Sequence, residues 1–268
     1  MKYVNYLILS LLLLSATACH KEEPDEGPHY PVYRPEVAVV DGAFSVSSSI
    51  RVEFAAGNVQ YTPFFGYWRI ADSQYRVMGK SNERDSRRYS GWYDLFGWGT
   101  GNSPRLRTID TSDFVEFVDW GVNFGAGWRT LGEEEWEYLL FSRQGAGNLL
   151  TTAEVCGVKG LFLFPDDWEC PGGITLSYGN YDFGNEINDR QMVRLQESGA
   201  VFLPSAGYRQ GSRYVKGSLC YWTSTSVGVR GFEGMRVFLD LTAEDSFVGL
   251  KGMSSYCGLA VRLVRNIK

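Results

Sequence analysis

The sequence predicts an α+β domain built largely from short strands. Aromatic residues make up 15% of the 268-residue chain and glycines number 31, a mixture that suits short strands joined by tight turns. Two stretches carry helical periodicity, and the last 70 residues are β-rich.

The N-terminus reads as an export signal. Lys2 gives a basic start, Tyr6–Leu14 is an apolar run, and Ala16-Thr17-Ala18 places small residues ahead of Cys19. The run is shorter than the ~20 apolar residues a spanning helix needs. Residues 1–18 are therefore expected to be a lipoprotein signal peptide, with Cys19 as the lipidation site. An ordinary signal peptide cut near Ala18 is the alternative. His20-Lys21-Glu22-Glu23-Pro24-Asp25-Glu26 resembles the charged tag that Bacteroidetes-type surface lipoproteins carry after the lipidated cysteine. Pro24, Pro28, Pro31 and Pro35 stiffen this stretch, so residues 19–37 are expected to be a tether. The expected location is the outer membrane, lipid-anchored and facing the exterior, with membrane contact through the anchor only.

Residues 38–268 remain for one domain. The net charge of −5 and the lack of a Lys/Arg stripe argue against nucleic acid as a partner. Both histidines, His20 and His29, fall in the tether. Ser-His-Asp and Cys-His catalysis, and His-ligated zinc, are thereby excluded from the domain. Its four cysteines, Cys156, Cys170, Cys220 and Cys257, allow three disulfide pairings. Cys220–Cys257 with Cys156–Cys170 is the preferred one, because each pair flanks neighbouring predicted strands. Free buried thiols are the alternative.

Along the chain, Ile50–Phe54, Asn58–Tyr61 and Trp68–Ile70 read as strands. Residues 81–104 form a long loop whose aromatics let it pack on itself. Its Gly97-x-Gly99-x-Gly101 run lacks the strand, helix and Lys-Ser/Thr of a phosphate cradle, so structural glycine is expected. A first helix is predicted from Thr130, with capping-box spacing to Glu133 and Trp136, Leu139 and Leu140 on one face, ending at Gly145 and Gly147. Gly160–Phe164 reads as a buried strand broken at Pro165. A second helix spans Asp189–Glu197, turning Met192 and Leu195 inward and stopping at Gly199. Ala200–Leu203, Tyr221–Thr225, Met235–Leu241, Ser246–Leu250 and Leu259–Val264 complete the strands.

Several segments in order look like one family. Gly127-Trp128-Arg129-Thr130-Leu131, followed by Glu134-Glu135-Trp136-Glu137-Tyr138, resembles the helix entry of formylglycine-generating-enzyme-like proteins. Gly160–Trp168, Phe202–Arg209, Tyr221–Thr225 and Gly258–Val264 match the order in Bacteroidetes surface lipoproteins of that class. The resemblance implies a C-type-lectin-like fold, with two helices on short twisted antiparallel sheets and the first and last strands paired. It also implies that late strands and loops form a ligand-binding face, in some members diversified by a retroelement. The cysteine spacing of the formylglycine enzymes and the calcium-binding tripeptides of sugar-binding lectins are absent here, so no enzyme and no cofactor are expected.

The expected ligand-binding residues are Tyr208, Arg209, Arg213, Tyr214, Val227, Val229, Arg230, Phe232, Glu233, Met235, Arg236 and Phe238. Large aromatic, apolar and arginine side chains are the types that dominate recognition surfaces. The plainer reading makes Val237, Leu239 and Leu241 inward core and their neighbours ordinary surface. The expected partner is a protein or glycan at the cell surface. Asn180, Asp182, Asn185, Glu186, Asn188 and Asp189 are an oxygen-rich stretch that calcium would accept, against turn and cap chemistry. Two other functions stay open: a glycoside hydrolase using Asp166 and Asp167, and a structural or fimbrial-tip subunit.

Overall fold

The computed structural model describes residues 35–114, 116–179, 181–227, 233–240 and 247–267. Cys19 and the signal segment lie outside them. Tyr33–Lys268 forms one compact unit, and the three buried clusters lie within it, so it is self-contained as a folding unit.

In chain order the strands begin with β1 (Val39–Ser45) and β2 (Arg51–Ala55), then β3 (Val59–Thr62) and β4 (Tyr67–Ile70). The aromatic loop follows, leading to β5 (Trp128–Arg129), α1 (Glu133–Glu137) and one π-helical turn over Tyr138–Ser142. Next come β6 (Leu150–Val155), β7 (Val158–Leu163), β8 (Asn185–Ile187) and α2 (Asp189–Glu197). The remainder is β9 (Val201–Pro204), β10 (Tyr208–Gln210), β11 (Arg213–Val215), β12 (Leu219–Val227), β13 (Glu233–Asp240), β14 (Phe247–Ser254) and β15 (Val264–Asn266). The molecule is thus α+β, mostly sheet with few short helices.

α2 follows its local sequence. Asn188 accepts from Gln191 N (3.0 Å) while Gln191 Oε1 accepts from Asn188 N (3.0 Å), a reciprocal cap. Met192 and Leu195 are buried, and the chain turns off at Gly199 with φ 90°. α1 departs from expectation. It starts at Glu133, because Thr130 N is taken by Asp119 Oδ2 (2.9 Å) and Thr130 stays outside the helix. The first-turn donor Glu133 N goes instead to Thr225 Oγ1 on β12 (2.8 Å). Glu135 accepts from Gly132 N and is gripped by both terminal nitrogens of Arg129 (2.7 and 2.6 Å).

β15 pairs antiparallel with both β2 and β5, giving the sheet order β1-β2-β15-β5 and joining the two ends of the described chain. A second four-stranded sheet runs β8-β6-β7-β9, with β6 and β8 parallel. β12-β13-β14 is an antiparallel meander. The Leu259–Val264 run is a strand only from Val264. Before it, Gly258, Leu259 and Ala260 bridge singly to Arg209, Phe96 and Tyr221, so this buried stretch threads between separate partners.

Three cores result. Phe44, Phe54, Trp136, Leu139 and Leu161 belong to a core shared by the two four-stranded sheets and α1. Tyr93, Phe96, Trp98, Trp120 and Trp222 form an aromatic core under the long loop. Phe162, Phe164, Met192, Leu195 and Phe202 lie beneath α2. The glycines of the aromatic loop are structural: a Cβ on Gly101 would sit 2.4 Å from Asp119 O.

Between the cores lies a polar centre. Arg262, 1% exposed, donates to Asn58 Oδ1 (3.0 Å), Ala55 O (3.1 Å), Gln74 Oε1 (3.2 Å) and Phe202 O (2.8 Å). Asn58 in turn donates to Tyr221 OH (3.0 Å), and that hydroxyl donates to Pro204 O (3.2 Å). Lysine has neither the planar fork nor enough donors to serve these acceptors. Arg262→Lys should lower unfolding stability by about 3 kcal/mol. An unchanged denaturation midpoint would contradict the assignment.

The long loop is organised by Asn82 and Asp94. Asn82 Oδ1 accepts from Asp94 N and Leu95 N (both 2.9 Å), while its amide donates to Asp94 Oδ1 (2.8 Å). Asp94 is fully buried, and burial raises its carboxyl to about 6 against the hydrogen bonds it accepts from Asn82 and Met78 N. The folded value exceeds the unfolded one, so the group's contribution is fullest below about pH 4 and is lost as pH rises through about 6. The expected cost at neutral pH is about 3 kcal/mol. Carboxyl-carbon NMR should place its midpoint near 6; a midpoint near 4 would show that the site is solvated.

Candidate functional site

The residues chosen from sequence fall on two strand systems. In the β10–β11 hairpin, Arg209 pairs with Tyr214 and Gln210 with Arg213. Arg213 is exposed, whereas Tyr208 and Tyr214 are half-buried against the aromatic core and the first core respectively. Tyr214 N donates to Glu83 Oε1 (3.1 Å).

Arg209 corrects the expectation. It is 0% exposed, its backbone bridges Gly258 in both directions (2.8 and 2.7 Å), and its Nη1 donates to Gly211 O. Burial, with repulsion from Arg107, pulls its guanidinium down to about 9. A Cβ on Gly258 would meet Arg209 Nε at 2.8 Å, so the two segments are closely packed. This arginine is part of the interior.

On the meander, Arg236 lies opposite Trp222 and Phe238 opposite Cys220. Directly opposed residues share a face. Both are therefore half-buried against the aromatic core, contrary to an outward reading. Arg236 Nη1 meets Cys220 Sγ at 3.0 Å and its guanidinium sits 5.2 Å from the Phe238 ring centre. Gly234 lies against the Trp98 indole, which donates to Thr223 O (3.0 Å). Val227 is half-buried and pairs with Glu233 at the far end of the meander. The backbones of Glu233 and Met235 belong to β13, but their side chains lie outside the described residues, as do Val229, Arg230 and Phe232 entirely.

All four cysteines are free, so the preferred disulfide pairing is not formed. Cys156 is exposed in the β6–β7 turn, while Cys170 Sγ donates to Ile174 O (3.3 Å). Burial raises the thiols of Cys220 and Cys257, the latter to about 11. Neither is a ready thiolate nucleophile.

Asp166 is spent on structure. It accepts from Ser45 N (2.9 Å) and Ser45 Oγ (2.7 Å) and pairs with buried Arg143 (3.0 Å). Asp167 lines an open cleft of about 980 Å³ in which the charged side chains, its own and those of Asp41, Glu53, Glu169 and Glu197, are all acidic. In the oxygen-rich stretch, Asn185 donates to Thr152 O and Ser177 O (3.0 and 2.9 Å), Asn188 caps α2, and Asp189 accepts from Tyr75 OH (2.6 Å). Asp182 accepts from Gly184 N (2.8 Å), Glu186 is exposed, and Asn180 lies outside the described residues. Among the described residues no three His, Cys, Asp or Glu side chains converge as metal ligands.

Sequence reasoning missed the β3–β4 turn. Phe64, Phe65 and Tyr67 stand 55%, 53% and 49% exposed. The signal was present: Pro63-Phe64-Phe65-Gly66 puts apolar rings at a turn, where strand burial cannot account for them.

Comparison of the chain with family models, curated proteins and solved structures finds no match.

The thiol assignments lead to a labelling experiment. Under native, reductant-free conditions at mildly alkaline pH, iodoacetamide should modify Cys156 first and leave Cys220 and Cys257 protected until denaturant is added. Failure of Cys220 and Cys257 to label after denaturation without reductant would reveal a disulfide.

Proposed function

We propose that this chain is a lipid-anchored protein of the outer cell surface that binds a macromolecular or glycan ligand without chemistry. The supporting scaffold is C-type-lectin-like, a reading favoured by the β2–β15 pairing and the two short helices.

One observation carries the recognition reading: the burial gradient along β12. Leu219 to Thr223 are buried, Leu219 and Tyr221 in one core and Cys220 and Trp222 in another, so this half is clamped from both faces. Ser224 to Val227 are partly or fully exposed. β13 resumes at Glu233 opposite Val227, so the strand ends flanking residues 228–232 are paired with each other. A rigid base presenting a short connection is how binding scaffolds separate stability from specificity. The ligand-binding set then narrows to Val227, Val229, Arg230, Phe232 and Glu233, with Arg213 as an exposed arginine on β11.

The test is binding of residues 33–268 to glycan arrays and displayed protein libraries. For any ligand found, Arg230→Ala with Phe232→Ala should weaken affinity about tenfold or more without moving the thermal midpoint. Unaltered affinity would remove the 228–232 connection from the site.

A further inference from the structure

The turn between β3 and β4 holds rings outside every buried cluster. Gly66 N donates to Thr62 O (2.9 Å) and Gly66 takes φ 69°, which closes the turn. Phe64 meets Phe65 edge to face with centroids 4.7 Å apart, and Phe65 stacks on Tyr67 at 5.9 Å. The rings thus form one continuous ridge. Its base is stiff, because Tyr61 and Trp68 pack on each other and Trp68 packs on Phe96 of the aromatic core.

Beside the ridge the chain becomes basic. Phe64 N donates to Tyr89 O (3.1 Å), which sets Arg87 and Arg88 next to the turn. Arg84, Arg87 and Arg88 are exposed, and Arg105 joins the same loop by donating to Asp85 O (2.6 Å). Glu83 and Asp85 are the acids of this stretch, and the Glu83 carboxylate accepts from Tyr214 N. In a chain of net charge −5, this arginine group beside apolar rings is a local reversal.

We infer that the Phe64–Phe65–Tyr67 ridge and its neighbouring arginines form a docking surface for an anionic lipid bilayer. The rings enter the boundary between headgroups and acyl chains, and the guanidinium groups meet headgroup phosphates. A glycan is a poorer occupant. Phe64 and Phe65 carry no hydrogen-bonding group, and Arg69 on β4 is committed to Gln60 (2.8 Å) and lies over Trp92 (4.1 Å); the arginines that stay exposed favour a charged phosphate over neutral hydroxyls. This surface uses residues other than the recognition set above and adds a protein contact to the membrane attachment expected from Cys19.

The experiment is cosedimentation of residues 33–268, which lack the acylation site, with vesicles. Binding is expected to vesicles of about three parts phosphatidylcholine to one part phosphatidylglycerol, and about tenfold less to phosphatidylcholine alone. Phe64→Ala with Phe65→Ala should cut partitioning about tenfold or more. Arg87→Gln with Arg88→Gln should remove the preference for the anionic lipid. All four side chains are exposed, so circular dichroism and thermal midpoints should match the parent protein. If the phenylalanine variant loses its fold, the arginine variant decides by its lipid preference. Absence of vesicle binding by the parent protein, or full binding by a folded Phe64/Phe65 variant, overturns the inference. So does lipid preference unchanged in the arginine variant, or capture of a soluble glycan or protein by these residues in place of vesicles.

Discussion

Arg262 sits where segments far apart in sequence converge, and none of its hydrogen-bond partners is a carboxylate. A guanidinium fully removed from water is costly unless its donors are satisfied. Here backbone and amide oxygens satisfy them. The β2 end supplies Ala55 O, the turn after it Asn58, the loop beyond β4 Gln74, and β9 Phe202 O. Gln74 adds a second tie by donating to Ala200 O (2.9 Å) and accepting from Phe202 N (2.8 Å). If one segment leaves, the charge loses part of its solvation and the others lose a partner. The three apolar cores are therefore joined through a polar junction, and the joining is cooperative.

That junction explains why the late chain is irregular. Gly258 to Leu263 must reach the centre with Arg262, pass the Arg209 backbone and meet Phe96 and Tyr221 in succession. A continuous ladder with one neighbour would prevent this. Regular pairing resumes at Val264, where the chain enters the first sheet between β2 and β5. The same constraint clamps β12, because Tyr221 contributes its hydroxyl to the junction and Trp222 donates to Phe96 O (2.7 Å) on the other face.

How much was legible in the sequence depended on whether the deciding partner was local. α2 was readable to the residue because Asn188 and Gln191 cap it from within its own first turn. The start of α1 was not, because its donors are served by Asp119 and Thr225, remote in sequence. The strands around Gly57 and in the meander were visible from their strand pattern, and the one at Gly160 from its continuous apolar run. β6, β8 and the β10–β11 hairpin were not, being short or buried on most positions, and nor was β1, whose Asp41-Gly42 interrupts its apolar pattern. Arg209 and Arg236 show the limit for sites. An arginine type suggests recognition, but nothing local tells that a remote glycine leaves room for one guanidinium, or that a cysteine across the strand meets the other. The Phe64–Phe65 turn was legible in principle, since apolar rings at a turn have no core to explain them.

The arrangement also explains how such a molecule can combine a demanding interior with changeable surfaces. Residues whose hydrogen bonds cross between segments, such as Asn58, Gln74, Asn82, Asp94 and Arg262, are each buried to 1% exposure or less. Their replacement disturbs several elements at once. By contrast, Ser226 and the β3–β4 turn project from strands whose bases are already fixed by aromatic packing. Exposed side chains there, such as Phe64 and Phe65, lie outside the buried clusters, so selection can act on them with smaller effect on stability. A scaffold tied together at its polar junction leaves such surface positions free to vary.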